Sequence, residues 1–426
     1  MNADTLRPII HRLSDRIVEA QSPIRILDAI KWDDSIQTNF FADGATHQPR
    51  VDADYYQPLD YSANEVRDKF HAIRNDINTE LGADHPASKI MLRMCEEYIQ
   101  VMDMLDARGQ DDFYRHSKEL YGSSNDSFHS GSSTLADLGH LLDDALRNID
   151  EQMFLEKEVK DIPTDDALVL LQSWLDNMFD DENNRVKVIK SDGIVADAAA
   201  GSDYIKLRKH AKFSMRNLRL LEAHEGWVHV GTTLNGLRQP SCTFLSKGTP
   251  SDTITQEGLA VFIEIVSFRS HPARLRSIAD RIRGIHLAES GATFLDVYQL
   301  LHSEGRSQGD AYNAAVRIFR GSTPTGGPFT KDLAYSKGFV QVYNFIRLAV
   351  RRGRLDRIPL LFCGKLAIED MGTIGKLADS GLIELPQDLP PAMEDMNALT
   401  AWMSYSNFLN RLDLSQIDSD FAYLFN

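Results

Sequence analysis

The run from Leu221 to His229, Leu-Glu-Ala-His-Glu-Gly-Trp-Val-His, limits what this chain can fold into more than any other segment. Ser214 is a fitting N-cap for a helix through Leu218 and Leu221 to about Val230, with Gly231 as its stop. Two histidines and a carboxylate on one helix are parts of a hydrolytic zinc site. Such a site takes three protein ligands, leaves one position open for water, and keeps a base beside it. The usual spacing puts the two imidazoles four residues apart, on one helix face. Here His224 and His229 are five apart, which turns the second ring by about 140° on a regular helix. A straight α-helix cannot aim both rings at one ion. The sequence therefore predicts a distorted turn, in which a one-residue π-bulge absorbs the surplus. Gly226 inside the interval supports this, because a helix interior has no propensity reason to hold glycine.

The third ligand is expected 28 residues beyond His229, in Thr255-Gln256-Glu257-Gly258-Leu259-Ala260. Thr253 or Thr255 is the expected cap of a helix carrying Glu257, Leu259, Val261 and Ile263. Alone, Glu257 would suit a first helical turn beside the helix dipole. With His224 and His229 it completes a three-ligand set that leaves Glu225 free to act as general base. Zinc peptidases often place an acid four residues after the third ligand to orient a histidine. Val261 occupies that position, so Glu264, on the same helix face, is expected to do so instead.

At 426 residues the chain has material for two domains or one large one. Up to about residue 160 the pattern is helical: Ile90, Met94, Val101 and Leu105 share one face, and Leu135 to Ile149 repeats the pattern. The polar segment from Gly122 to Thr134 reads as a linker loop. A boundary at Asp161 to Pro163 divides an N-terminal helical region, 1–162, from a catalytic domain, 163–426. After that boundary the period changes. Val186 to Ile189 is strand-like, Asp192-Gly193 is a hairpin signal, and Tyr204 to Leu207 adds a further strand. A small sheet just before the histidine helix is how many zinc peptidases supply an edge strand for the substrate backbone. Helical patterns then resume, with breaks at Gly305, Gly321 to Pro328 and Gly353, and a final helix over Ala398 to Leu412. The expected fold class is α+β, mainly helical.

The net charge of −16 argues against a general nucleic-acid binder, which needs clustered Lys and Arg. One basic strip precedes the histidine motif: Lys206, Arg208, Lys209, His210, Lys212, Arg216 and Arg219. At a site, it would suit an anionic substrate; otherwise it is a solvated face. The first thirty residues read as an amphipathic helix rather than a signal peptide, and no apolar run is long enough to span a bilayer. Cys95, Cys242 and Cys363 are scattered and odd in number, which fits reduced thiols in a cytoplasm.

The segments His224 to Gly236 and Thr255 to Ala260 together resemble the QEGLA-motif proteins, whose bacterial members are labelled flavohaemoglobin expression-modulating. That family is related to the microtubule-associated tyrosine carboxypeptidase family of zinc metallopeptidases. Further matches lie at Arg317 to Gly321, Phe329 to Gly338 and Leu360 to Lys365, so the likeness is dense in the second half and loose in the first. The resemblance implies a mainly helical metallocarboxypeptidase fold with one zinc ion per chain, held by His224, His229 and Glu257, with Glu225 as base. Its substrate would be a peptide or protein C-terminus, with release of an aromatic residue as the finer expectation.

In such a mechanism Glu225 takes the proton of the zinc-bound water as it attacks the scissile carbonyl. Tyr335 is the first candidate for stabilising the oxyanion. Arg317, Arg320 and Lys331 are candidates for holding the terminal carboxylate. Asn235 is read either as a clamp on the substrate backbone or as part of an Asn-Gly turn. Phe329 and Trp227 are read first as core and second as the lining for an aromatic side chain. The competing reading is a non-catalytic regulatory protein that affects gene expression and is merely stabilised by metal. Against it, structural zinc sites are closed by four protein ligands, commonly cysteine.

Overall fold

A computed structural model describes residues 3–128, 133–147, 149, 159–179, 186–192, 194, 196–421 and 423. Among the described residues the chain is mainly helical with two small sheets, the expected α+β class. Three N-terminal helices, Ala3–Ala20, Ala63–Glu80 and Pro86–Asp106, bury one apolar face each. Leu6, Ile10, Leu13 and Ile17 recur at helical spacing, as do Phe70, Ile73 and Ile77. Ile90, Met94, Val101 and Leu105 do the same on the third helix. These side chains share a single hydrophobic core with Trp227, Val228, Leu259, Phe262 and Leu360 to Phe362. The N-terminal helices thus belong to the same core as the histidine segment.

The segment from Gly122 to Thr134 is more than a linker. Ser124 donates its backbone N–H to Glu289 at 2.9 Å, and Lys337 donates to Asp126 at 3.1 Å, so both halves of the chain hold it. Residues 129–132 of that segment lie outside the described residues.

The strands pair differently from the hairpin expected at Asp192-Gly193. Strands β1 (Ile162–Pro163) and β5 (Lys212–Phe213) form a two-residue antiparallel pair. β2 (Lys187–Ser191), β3 (Ala198–Ala200) and β4 (Tyr204–Arg208) form a sheet in the order β2-β4-β3. β2 runs parallel to β4, and β3 pairs antiparallel with β4 through the turn at Gly201 to Asp203. Asp192 therefore follows a strand whose neighbour is β4, not the next segment in sequence; Gly193 itself lies outside the described residues. Ile205 and Leu207 alternate with Lys206 and Arg208, and their buried side joins Leu171 and Leu175 of the helix Thr164–Met178. This order leaves β3 as an edge strand beside the histidine segment.

Cys95, Cys242 and Cys363 are buried and unpaired. Among the described residues no helix is long and apolar enough to cross a membrane.

Candidate metal centre

Ser214 caps the histidine helix in a reciprocal capping box with Asn217, as its sequence suggests. The distortion demanded by the five-residue spacing is also present, and it is larger than one bulge. Residues Glu222–Val230 form a π-helix, flanked by α-helix at Met215–Leu221 and Gly231–Leu237. A π-helix bonds each N–H to the carbonyl five residues back, so side chains five apart stack. Gly231 does not stop the helix; its N–H donates to Gly226 O within the wide turn and the chain continues helically. Gly226 has a packing reason as well. A Cβ there would lie 2.5 Å from Leu175 Cδ2, so glycine lets the strand-side helix close onto the widened turn.

Glu257 comes from the helix Pro250–Val266. Thr249 caps this helix in a capping box with Asp252, one turn earlier than Thr253 or Thr255. Pro250 explains the shift, since its fixed φ suits the first helical position. Three donors converge here. Glu257 Oε2 lies 3.4 Å from His224 Nε2 and 3.6 Å from His229 Nε2. Donor atoms of the three residues all fall within 4.8 Å of one another. Tetrahedral bonds of about 2.0–2.2 Å separate neighbouring ligand atoms by roughly 3.3–3.6 Å. The same Oε2 is buried and has no hydrogen-bond partner among the described residues. An orphaned carboxylate oxygen facing two imidazole nitrogens at these separations fits a divalent cation. The donor set, two nitrogens and one oxygen, is the kind zinc takes in catalytic sites.

The surroundings hold two of the three donors, His224 and Glu257, in place. Glu264 Oε1 lies 2.6 Å from His224 Nδ1, the contact that orients the ring and leaves Nε2 for the centre. Arg274 in turn donates to Glu264 at 2.9 Å. Burial raises the Glu264 carboxyl's pKa, but Arg274 and His224 outweigh it and hold the group at about 2. Glu257 is also buried, yet Lys331, His224 and His229 keep it well below the usual carboxylate range. Lys331 Nζ donates to Glu257 Oε1 at 2.9 Å. For His224, burial lowers the pKa; Glu257, Glu264 and Glu225 overcome that and lift it to about 10. Glu225 Oε2 accepts from the Ala200 N–H of β3 at 2.9 Å, so the edge strand orients this carboxylate. A second acidic set, Asp143, Asp280 and Glu304, is taken up by ion pairs with Arg283, Arg306 and Arg147.

Two glycines bring the pieces together. The helix Pro250–Val266 crosses the helix Ala334–Arg351 where Gly258 meets Gly338. A Cβ on Gly258 would sit 1.9 Å from Gly338 C, and one on Gly338 1.8 Å from Ile254 O. That backbone-to-backbone contact is why glycine follows Glu257 in one motif and ends the Tyr-Ser-Lys-Gly run in the other. It seats Tyr335 against the His224 ring, centroids 6.1 Å apart, with the Arg281 guanidinium 4.5 Å from the phenol ring.

Of the residues expected to hold substrate, only Lys331 borders the cleft at the centre. Arg317 makes two hydrogen bonds to Asp332, at 2.6 and 2.9 Å. Arg320 is buried beside Phe329, 5.7 Å from its ring centroid. Asn235 spends its amide inside the fold. It donates to Phe362 O and Asp388 O and accepts from the N–H groups of Gln387 and Asp388. It lies within a helix, not in an Asn-Gly turn. Phe329 and Trp227 are core residues, Phe329 packing against Phe113 and Tyr121. None of the basic strip lines the cleft; Arg208 and Lys209 pair with Asp197 and Asp192, and Arg219 with Glu222.

The cleft, about 320 Å³, is lined by His229, Glu257 and Lys331, by Ala200 to Ser202, and by Ser246 to Gly248 with Gln256 and Lys365. Sequence reasoning passed over Lys365 and Lys247. Lys365 ended a matching segment, but nothing local marks it as facing the site. No curated protein matches the chain. One family model does, the microtubule-associated tyrosine carboxypeptidase model, over residues 38–411. That span takes in the N-terminal helices from Ala63 onward, the edge strand, the π-helical histidines and both crossing glycines. The chain belongs to the microtubule-associated tyrosine carboxypeptidase family.

Proposed function

We propose that this protein is a zinc-dependent metallocarboxypeptidase. His224, His229 and Glu257 hold one zinc ion, and Glu225 is the general base. The observation that carries this reading is the orphaned Glu257 oxygen, set at metal-ligand separations from two imidazoles beside an open cleft. The family name, a tyrosine carboxypeptidase, supports a peptide or protein C-terminus as substrate and an aromatic residue as the one released. When bound, zinc supplies Lewis-acid polarisation of the scissile carbonyl and of water.

The chain's own groups do the rest. The Glu225 carboxylate, aimed by Ala200 N–H, takes a proton from the attacking water and returns it to the leaving nitrogen. Tyr335, stacked on His224 and surrounded by Arg274, Arg281 and Lys331, is the donor for the developing oxyanion. Lys331 balances the charge of Glu257. The edge strand β3, whose Ala200 borders the cleft, offers its backbone to an extended substrate. A closed site of four protein ligands, the mark of a structural zinc, is not what these three donors form.

The test is product analysis. Zinc-loaded protein and a peptide ending in tyrosine are expected to yield the peptide one residue shorter, by mass spectrometry. A chelator should stop the reaction and added zinc restore it. An intact peptide, or cleavage indifferent to the chelator, would overturn the proposal.

Glu264 gives a separate prediction. Glu264→Gln keeps the side chain's shape but weakens the contact that orients His224. Zinc affinity is expected to fall about 10–100-fold, read by competition with a chromophoric chelator. An unchanged affinity would show that the carboxylate does not serve the ligand.

A further inference from the structure

Two cations border the cleft with no ion-pair partner among the described residues. Lys331 is matched to Glu257. Lys365 and Lys247 have no ion pair or side-chain hydrogen bond among the described residues, yet both line the same space. Their position is built in. The Lys365 backbone N–H donates to Leu245 O at 2.7 Å, and the preceding Gly364 has no room for a Cβ, which would lie 2.5 Å from the same oxygen. The Lys365 stem runs past Gly248, where a Cβ would be 3.2 Å from Lys365 Cδ. Burial pulls the pKa of both ammonium groups down, and the fields of Glu257 and Glu225 only partly offset this for Lys365. A half-buried cation without an ion-pair partner is left partly desolvated, a cost that an anionic ligand would offset.

Gln256 adds a polar partner. It is 3 % exposed and borders the cleft. Its Oε1 meets Thr232 Oγ1 at 2.7 Å, while its Nε2 has no partner. Whichever way the amide is turned, one of its ends has no partner among the described residues.

We propose that Lys365, with Gln256 and Lys247, forms the subsite that takes the free α-carboxylate at a substrate's C-terminus. This rests on the peptidase reading above and deepens it: Lys365 is the residue that confines cleavage to chain ends. Arg317, committed to Asp332, is not needed for that task.

The experiment compares an acetylated pentapeptide ending in tyrosine, as free acid and as amide. Turnover is followed with zinc-loaded wild type, Lys365→Gln, Lys365→Met and Lys365→Arg. Binding is followed by calorimetry in each of these carrying Glu225→Gln, so that the peptide is not consumed. A charge-assisted hydrogen bond is worth about 1.5–3 kcal/mol, so wild type is expected to favour the acid by roughly 10–150-fold. Lys365→Gln should shrink that ratio to a few-fold, mainly through KM, with zinc content unchanged. Lys365→Met keeps the stem's packing and should do the same; Lys365→Arg should restore most of the preference. Equal handling of acid and amide by wild type, or a preference that survives in both neutral variants, would overturn the subsite. If wild type binds the acid preferentially, through Lys365, but cleaves neither peptide, the subsite stands and the peptidase reading fails.

Discussion

Glu225→Gln is expected to lower turnover of a C-terminal peptide substrate by about 10²–10⁴-fold, the span a positioned general base contributes. Zinc content and thermal stability should stay at wild-type levels. The reasoning is geometric. Glutamine has the same shape, and its amide oxygen can still accept from Ala200 N–H, the contact that fixes Glu225 at 2.9 Å. Glu225 is not among the three converging donors, so the cation's ligands are untouched. What glutamine lacks is a lone pair basic enough to take a proton. Kinetics on variants matched for zinc content check this. Full activity in Glu225→Gln would move the base elsewhere and undo the assignment.

Gly338→Ala is expected to destabilise the protein by about 3 kcal/mol, the upper end for forcing an extra carbon into a packed contact. The added Cβ would sit 1.8 Å from Ile254 O and 2.9 Å from Gly258 Cα, so two helix backbones must separate. Backbone cannot rotate away as a flexible side chain can. The displaced parts are functional: Tyr335 lies one turn before Gly338, and Glu257 adjoins Gly258. A lower melting temperature and weaker zinc binding should therefore appear together. Gly372→Ala is the control, because its Cβ would meet nothing within 4 Å in the helix Met371–Asp379. That change is expected to be neutral or slightly stabilising. Equal melting temperatures for the two variants would show that the crossing is looser than described.

The features legible in the sequence were those set by local spacing. The spacing of five from His224 to His229 required a widened turn, because helix geometry allows no other way to face both rings alike. Glu264 was legible because positions seven apart return to one helix face, and it does meet His224 Nδ1. Thr249-Pro250 was readable as a helix start by its cap and N1 proline and was passed over for later threonines. Strand order was harder: Asp192-Gly193 carries a hairpin signal, but β2 finds its partner in β4, across a longer separation. Charge was least legible of all. Arg317 attracts attention as a carboxylate binder, yet Asp332, fifteen residues on, claims it. Lys365 has the opposite character: its sequence context is unremarkable, and only tertiary packing leaves it uncompensated in the cleft.

The central claim is that His224, His229 and Glu257 are a metal site, and metal stoichiometry tests it most directly. Wild type and His229→Ala, purified side by side and supplied with zinc, are analysed by plasma mass spectrometry, with circular dichroism to confirm the fold. The expected result is one zinc per wild-type chain, lost in His229→Ala while the helical signal persists. No zinc in wild type, or equal zinc in both proteins, would contradict the account.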